Sequence, residues 1–199
     1  MQFLFPTKRK SLKKPRVNIA LRILLMTDGL VVFSAAMLGP IYALFVRDIG
    51  GDILDTGLAA GVFTATAGIV VFLSGRFSDQ IKEAEIVVAA GYAIMATGFL
   101  GYLLVHSVAE LLIAQAIIGF GQALCSPSFD ALYSKHVDPG KSGTQWGAWE
   151  SMNYFAAAFG ALAGSVVASL FGFPALFVVM ACFAYTSALY IYFLPRKVL

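Results

Sequence analysis

Charged side chains are scarce in this 199-residue chain, where Asp, Glu, Lys and Arg together make up 13% of the residues. A soluble domain usually carries about 25%. Hydrophobic residues make up 59% and the mean hydropathy is +0.82. The chain cannot cover a water-facing surface with so few charges, so we predict an integral membrane protein. This composition also excludes nucleic acid as the main partner.

Cysteine and histidine are equally rare, with two of each. Cys125 and Cys182 lie within apolar runs, which is typical of small buried side chains and not of a disulfide framework. His106 and His136 are predicted in loops, without a partner at metal-ligand spacing. The chain also lacks a glycine-rich phosphate-binding loop. We therefore predict that it is not an enzyme and that it holds no metal and no cofactor.

Six apolar runs, separated by short polar links, account for nearly all of the chain after its first 17 residues. Each run is close to or longer than the roughly 20 residues that cross a bilayer. The sequence predicts an all-α, polytopic membrane protein, with a six-helix transmembrane domain over residues 18–199. The predicted helices span about 19–45, 54–74, 84–105, 109–135, 144–170 and 175–194.

Basic residues are concentrated on one side of this predicted bundle. The opposite loops contain only Arg47, and the positive-inside rule therefore places both termini in the cytoplasm, with the chain in the inner or plasma membrane. The first apolar run is longer than the core of a signal peptide, so we expect the basic tail, residues 1–17, to be retained. Most of the basic residues lie in this tail, in the 75–85 and 135–143 links, and at Arg196 and Lys197.

The charged link at 75–85 contains a partial motif. Gly75, Phe77, Ser78 and Asp79 resemble the signature loop between the second and third helices of the major facilitator superfamily. Gln80, Lys82, Glu83 and Ala84 depart from that pattern, which has basic residues or glycine at these positions.

A second region similar to the family covers the fourth helix, the following loop and the fifth helix. It contains Gly119, Gly121, Ser126-Pro127, Asp138-Pro139-Gly140, Gly160 and Gly164. Antiporters of the family carry a Gly-Pro pair in the fifth helix. Because residues 158–164 contain no proline, we expect symport in preference to antiport.

The resemblance implies a single six-helix half, built from two three-helix repeats. The usual family member has two such halves, related by an axis along the membrane normal, with the substrate path between them. It implies a secondary active or facilitative transporter of a small solute that works by alternating access. We expect a parallel homodimer equivalent to a twelve-helix protein, with membrane lipid around it. The alternative is a non-transporting membrane protein that binds a partner or senses a ligand.

Asp28 is the main candidate for a coupling residue. It lies about 14 Å along the first helix from Ile19, near the membrane midplane. A charged carboxylate there is costly, and intramembrane acids commonly carry protons or bind substrate. A hydrogen-bonded structural role is the alternative. Arg22 is expected to reach the cytoplasmic interface instead of pairing with Asp28.

Polar residues of the fourth and fifth predicted helices are candidates for the substrate cavity. Glu150, Asn153 and Tyr154 are spaced by three and four residues and are expected to share a face. Gln115 and Gln122 are two turns apart on another helix. Trp146 and Trp149 belong to the same polar-aromatic cluster as Glu150. The alternatives are an interfacial aromatic belt for this cluster and hydrogen bonds between helices for the two glutamines.

A cytoplasmic gate is expected from the resemblance at Gly75, Arg76, Ser78 and Asp79, together with Asp130. The aspartate of the family's signature loop meets the start of the fifth helix of the other half. In a homodimer, Asp79 would then meet residues 142–146 of the partner protomer. The sequence does not indicate which solute is transported.

Overall fold

The computed structural model describes residues 18–78, 83–196 and 198–199, with the backbone alone described at 75–78. Of these residues 88% are helical, and none of them forms a strand. The helices are α1 (Ile19–Ala36), α2 (Tyr42–Asp48), α3 (Ile53–Ser78), α4 (Ala84–Gly101), α5 (Val108–His136) and α6 (Ser142–Phe193). Short 3₁₀ turns cover Gly39–Ile41 and Tyr102–Leu104.

Five helical segments in the described ranges are long and apolar enough to cross a membrane, with α1 and α2 counted as one run. The 52-residue α6 is interrupted by Gly172, whose backbone is not helical (φ 79°, ψ 172°), two residues before Pro174. This break lies within the turn predicted at 171–174 and divides α6 into two parts. Six membrane crossings and cytoplasmic termini stay predictions.

The helix ends follow local chemistry. The Asn18 side chain caps α1 by accepting a hydrogen bond from the backbone N–H of Ala20 (3.1 Å), and its amide donates to the carbonyl of His136 (2.7 Å). Helix α1 ends before Gly39 and Pro40, because proline lacks the N–H that would continue the helical ladder. The predicted first helix, 19–45, is therefore two helices with a turn between them.

Two helix ends differ from the sequence prediction. Helix α3 continues through Ser78, whereas the sequence predicted a turn from residue 75. Polar residues outside the apolar run can still form the backbone hydrogen bonds of a helix. His136 is the last residue of α5 and not a loop residue, and its Nδ1 lies 2.8 Å from the carbonyl of Leu132.

The main packing contacts join α4 to α5, α1 to α6, α3 to α5, and α4 to α6. Glycines permit close backbone approach at three of these contacts. Gly91 of α4 lies against the carbonyl of Gly121 in α5. A side chain at Gly119 of α5 would meet the carbonyl of Phe63 in α3 at 2.6 Å. At Gly160 and Gly164 of α6 it would collide with backbone carbonyls of α1. The α1–α6 contact and the α4–α5 contact bring the polar side chains of four helices around one cavity.

Candidate functional site

A cavity of about 550 Å³ lies between α1, α4, α5 and the first part of α6. Its apolar walls include Val31, Met95 and Phe129. Its polar lining consists of Asp28, Tyr92, Gln122, Ser126, Asp130, Trp149, Glu150 and Asn153. The cavity therefore combines a mostly apolar wall with a small number of polar groups, as small-molecule sites in proteins do.

Both carboxylate oxygens of Asp28 accept hydrogen bonds from other helices. The Tyr92 hydroxyl in α4 donates to Oδ1 at 3.0 Å. The indole N–H of Trp149 in α6 donates to Oδ2 at 2.9 Å. Tyr92 is only 2% exposed, whereas Asp28 is half-buried and lines the cavity. The carboxylate is thus held by two donors and still borders open space.

The charges around the cavity are all of one sign. Asp130 of α5 and Glu150 of α6 line it together with Asp28, and no lysine or arginine of the described residues does so. Arg22 lies in a separate groove near Asn18 and forms no ion pair with Asp28. The lining therefore favours a positively charged group or a proton over an anion.

A second cavity of about 270 Å³ adjoins the first, and the two share Ala35, Met95 and Gln122 as lining residues. Its other walls are largely apolar and aromatic. The Gln115 amide donates to the Tyr42 hydroxyl at 2.5 Å in this second cavity. Polar and apolar compartments therefore lie side by side along α5.

The loop before α6 is joined to the helix by polar contacts. The Gln145 side chain accepts a hydrogen bond from the backbone N–H of Asp138 (2.7 Å) and donates to the Asp138 carboxylate (3.1 Å). Lys141 pairs with the same carboxylate at 2.8 Å and holds the pKa of Asp138 below its usual range. The Tyr133 hydroxyl donates to the carbonyl of Gln145 at 2.6 Å.

Comparison with known proteins identifies the family. The family model of the Major Facilitator Superfamily matches residues 24–198. The chain belongs to this superfamily. It is 25% identical over 191 residues to multidrug resistance protein MdtG of Erwinia billingiae, covering 94% of this chain and 46% of MdtG. It is 29% identical over 182 residues to the multi-drug resistance efflux pump PmrA of Streptococcus pneumoniae TIGR4, covering 86% of this chain and 43% of PmrA.

The family assignment made from the signature residues is confirmed, and membership supports a multi-pass membrane protein. The chain spans less than half the length of the curated relatives it matches.

Four of the predicted cavity residues of this superfamily member lie together in the first cavity: Asp28, Gln122, Glu150 and Asn153. Gln115 lies in the second cavity instead. Asp130, predicted at a gate, also lines the first cavity. Tyr154 lies outside both cavities and is 73% exposed. Tyr154 lies one residue, or about 100° of helical rotation, beyond Asn153, which turns its side chain past the edge of the cavity lining.

The superfamily signature residues occupy the end of α3. The backbone of Gly75, Arg76 and Ser78 lies in its final helical turns, and Asp79 lies outside the described residues. Their role in a gate stays a prediction.

Sequence reasoning missed Tyr92 and Trp149 as partners of Asp28. The sequence places Trp149 in a polar-aromatic cluster, with a substrate site and an interfacial belt as alternatives, but does not connect it with Asp28, and Tyr92 is not singled out. The sequence did contain one indication of such partners: a carboxylate inside an apolar run needs hydrogen-bond donors from other helices. Nothing in the sequence shows which of several tyrosines and tryptophans faces Asp28.

Proposed function

We propose that this chain forms the proton-binding unit of a secondary transporter that exports amphipathic cations by alternating access. The observation that carries this proposal is the Asp28 carboxylate, which borders the first cavity while both of its oxygens accept hydrogen bonds from neighbouring helices.

The proton role follows from the position of Asp28 within a membrane-spanning helix. A charged carboxylate in this setting is costly, so a change in its access to water can drive proton binding or release. No basic side chain of the described residues lines its cavity to neutralise it permanently. Asp28 can therefore exchange its proton for a bound cation.

The substrate class follows from the two cavities. The carboxyl groups of Asp28, Asp130 and Glu150 favour a positive charge in the first cavity, and the aromatic wall of the second suits an apolar body. The names of MdtG and PmrA refer to multidrug resistance and efflux. They support export, and therefore antiport with protons, over the symport expected from the missing proline.

The first cavity lies between four helices of this chain and is open to its outside, and we propose that a second, parallel copy closes it. Two faces suit such a contact. Gly57 and Gly61 of α3 have no neighbour within 4 Å of where a side chain would begin, and Phe155, Phe159 and Leu162 of α6 are exposed. In a twofold dimer, the bulky face of one copy can pack into the small-residue face of the other.

We further propose that both termini are cytoplasmic, in the inner or plasma membrane, because basic residues dominate that side of the predicted topology. Cysteine accessibility from each side of sealed vesicles tests this orientation. If a cysteine placed at Arg47 is labelled from the cytoplasmic side alone, the orientation is opposite to the one proposed.

The functional test is transport of a fluorescent lipophilic cation by the purified protein in proteoliposomes with an imposed pH gradient. We expect movement of the cation against the proton flow, and loss of at least tenfold of the pH-driven rate in Asp28→Asn. Asp55→Asn, at the start of α3 and outside the cavity, is the matched control and retains the rate.

Three other results contradict parts of this proposal. Transport that ignores the pH gradient would indicate a facilitative transporter. Binding of the cation without transport would favour a partner-binding or sensing protein. The dimer fails if cysteines at Gly61 and Leu162, in a Cys182→Ser background, never crosslink between copies.

A further inference from the structure

The two donors that hold Asp28 differ in chemistry. A tyrosine hydroxyl can donate or accept a hydrogen bond, but an indole N–H can only donate. A proton that binds Asp28 can therefore sit on Oδ1, with the Tyr92 hydroxyl turned to accept it. Oδ2 faces the Trp149 N–H and stays an acceptor. The Trp149 bond survives protonation of Asp28, but its acceptor is then a neutral carbonyl oxygen.

Hydrogen bonds to a charged acceptor are roughly twice as strong as those between neutral groups. We propose that Trp149 is a positioning residue that ties the start of α6 to α1 while Asp28 is charged, and that proton binding loosens this tie. The inference rests on the proposed proton-binding role of Asp28. It adds a specific residue through which the charge on α1 acts on α6.

Near this tie, the Met152 side chain of α6 packs at Gly29 of α1, and the Ser187 hydroxyl bonds to the carbonyl of Thr27. The close backbone contacts between α1 and the first part of α6 lie further along the two helices. Gly160 and Gly164 pack against the backbone of α1 near Phe33 and Met37. The Trp149 bond lies about three turns before Gly160, at the predicted cytoplasmic end of α6. The glycine contacts can therefore act as a pivot while the end that bears Trp149 moves.

An aromatic cluster packs Trp149 against side chains of α5 and α6. Its ring lies 6.4 Å from Phe129, 6.5 Å from Tyr133 and 5.5 Å from Trp146, between ring centroids. The Tyr133 hydroxyl also binds the backbone of Gln145 in the first turn of α6. The indole is thus fixed to α5 and α6 by packing, and to α1 by the bond to Asp28.

Among the described residues, no lysine, arginine or histidine lines the cavity around Asp28. Tyr92 faces it from α4, Cys125 and Asp130 from α5, and Glu150 from α6, all lining the same cavity. Because Asp130 and Glu150 are also carboxylic acids, an experiment must assign the proton to one of the three.

The first experiment measures the fluorescence of Trp149 against pH in lipid nanodiscs without substrate. The chain has two tryptophans, so Trp146→Phe leaves Trp149 as the only indole. We expect one pH-dependent change in emission that disappears when Asp28→Asn is added. Asp130→Asn and Glu150→Gln should each retain it. An emission that does not depend on pH, or a titration that persists in Asp28→Asn, overturns the inference.

The second experiment measures the pH profile of transport. Trp149→Phe keeps an aromatic ring but removes the donor, so the charged carboxylate loses support and the pH midpoint of transport should rise by about one unit. Tyr92→Phe should shift it in the same direction. Trp146→Phe is the matched control, because Trp146 belongs to the same cluster and makes no hydrogen bond to Asp28.

Unchanged midpoints in both Trp149→Phe and Tyr92→Phe would show that the donors are merely structural. The two proposals fail separately. The fluorescence titration needs no transport, so it can succeed for a protein that does not move the cation. Proton-coupled transport can equally persist while the emission of Trp149 ignores pH.

Discussion

Two glycine-bearing faces of the molecule look alike in sequence and differ in space. Gly160 and Gly164 of α6 lie against backbone carbonyls of α1, leaving no room for a side chain. Gly57 and Gly61 of α3 have nothing within 4 Å. Only 6% of the apolar stretch of α3 is buried within the chain, against 33% for the run formed by α1 and α2.

This difference shows what a small-residue pattern means in a membrane helix. Small residues permit close approach, but the approach needs a partner helix. In α6 the partner is α1 of the same chain. For α3 the described residues cover only the side that faces α5, and the open side matches the proposed contact with a second copy.

The largest effect is expected at the closed face. Gly164→Ala places a methyl group against the backbone of Met37, which cannot move without shifting α1. We expect a loss of about 2 kcal/mol in the free energy of unfolding, measured by denaturation in mixed micelles. Gly147→Ala, on the same helix with no neighbour, is the control. Equal stability of the two variants would remove the distinction between the faces.

A substitution at the open face, formed by Gly57 and Gly61 of α3, should change the association of two copies and not the stability of one chain. Gly61→Leu fills the proposed groove for the partner protomer. With the crosslinking cysteines placed at Gly57 and Leu162, we expect about tenfold less crosslinking between copies, equivalent to ~1.4 kcal/mol. The unfolding free energy of the single chain should not change. Gly101→Leu, at another open glycine outside α3, should leave crosslinking intact. Destabilisation of the chain itself by Gly61→Leu would mean that this face is already packed.

A smaller effect is expected from a polar contact between α1 and the second part of α6, beyond the break at Gly172. The fully buried Ser187 hydroxyl of α6 donates to the carbonyl of Thr27 in α1 at 2.9 Å. Ser187→Ala should lower the unfolding free energy by about 0.6 kcal/mol, as for other hydrogen bonds between membrane helices. Thr186→Ala removes a hydroxyl that bonds within its own helix, to Cys182, and serves as the control. A loss of unfolding free energy as large as that of Gly164→Ala would show that this hydrogen bond stabilises the α1–α6 contact as much as the close glycine packing does.

The smallest effect is expected in the exposed loop before α6. Lys141 lowers the pKa of Asp138, so the ion pair stabilises the fold above the usual carboxyl pKa and is lost as the pH falls. Asp138→Asn should therefore reduce the melting temperature slightly at neutral pH and leave it unchanged in acid. A difference that grows in acid would contradict this sign.

The sequence predicted helix positions well because apolar length is a local property, and the polar links appear as turns or helix ends. It predicted Asp28 for the same reason, since a single acid in an apolar run is visible without any partner. Helical spacing alone did not predict which polar residues line the cavity. It grouped Glu150, Asn153 and Tyr154 on one face, whereas the structure places Glu150 and Asn153 at the first cavity and Tyr154 outside it.

The sequence by itself determined a membrane protein of the Major Facilitator Superfamily with a carboxyl group inside its first span. Only the tertiary structure decided that Tyr92 and Trp149 hold this carboxyl group and that the glycines of α6, not those of α3, are closed within the chain. The physical reason is that composition sets where a helix lies, whereas its rotation is set by packing against neighbouring helices. Partners from different helices meet only once that rotation is fixed.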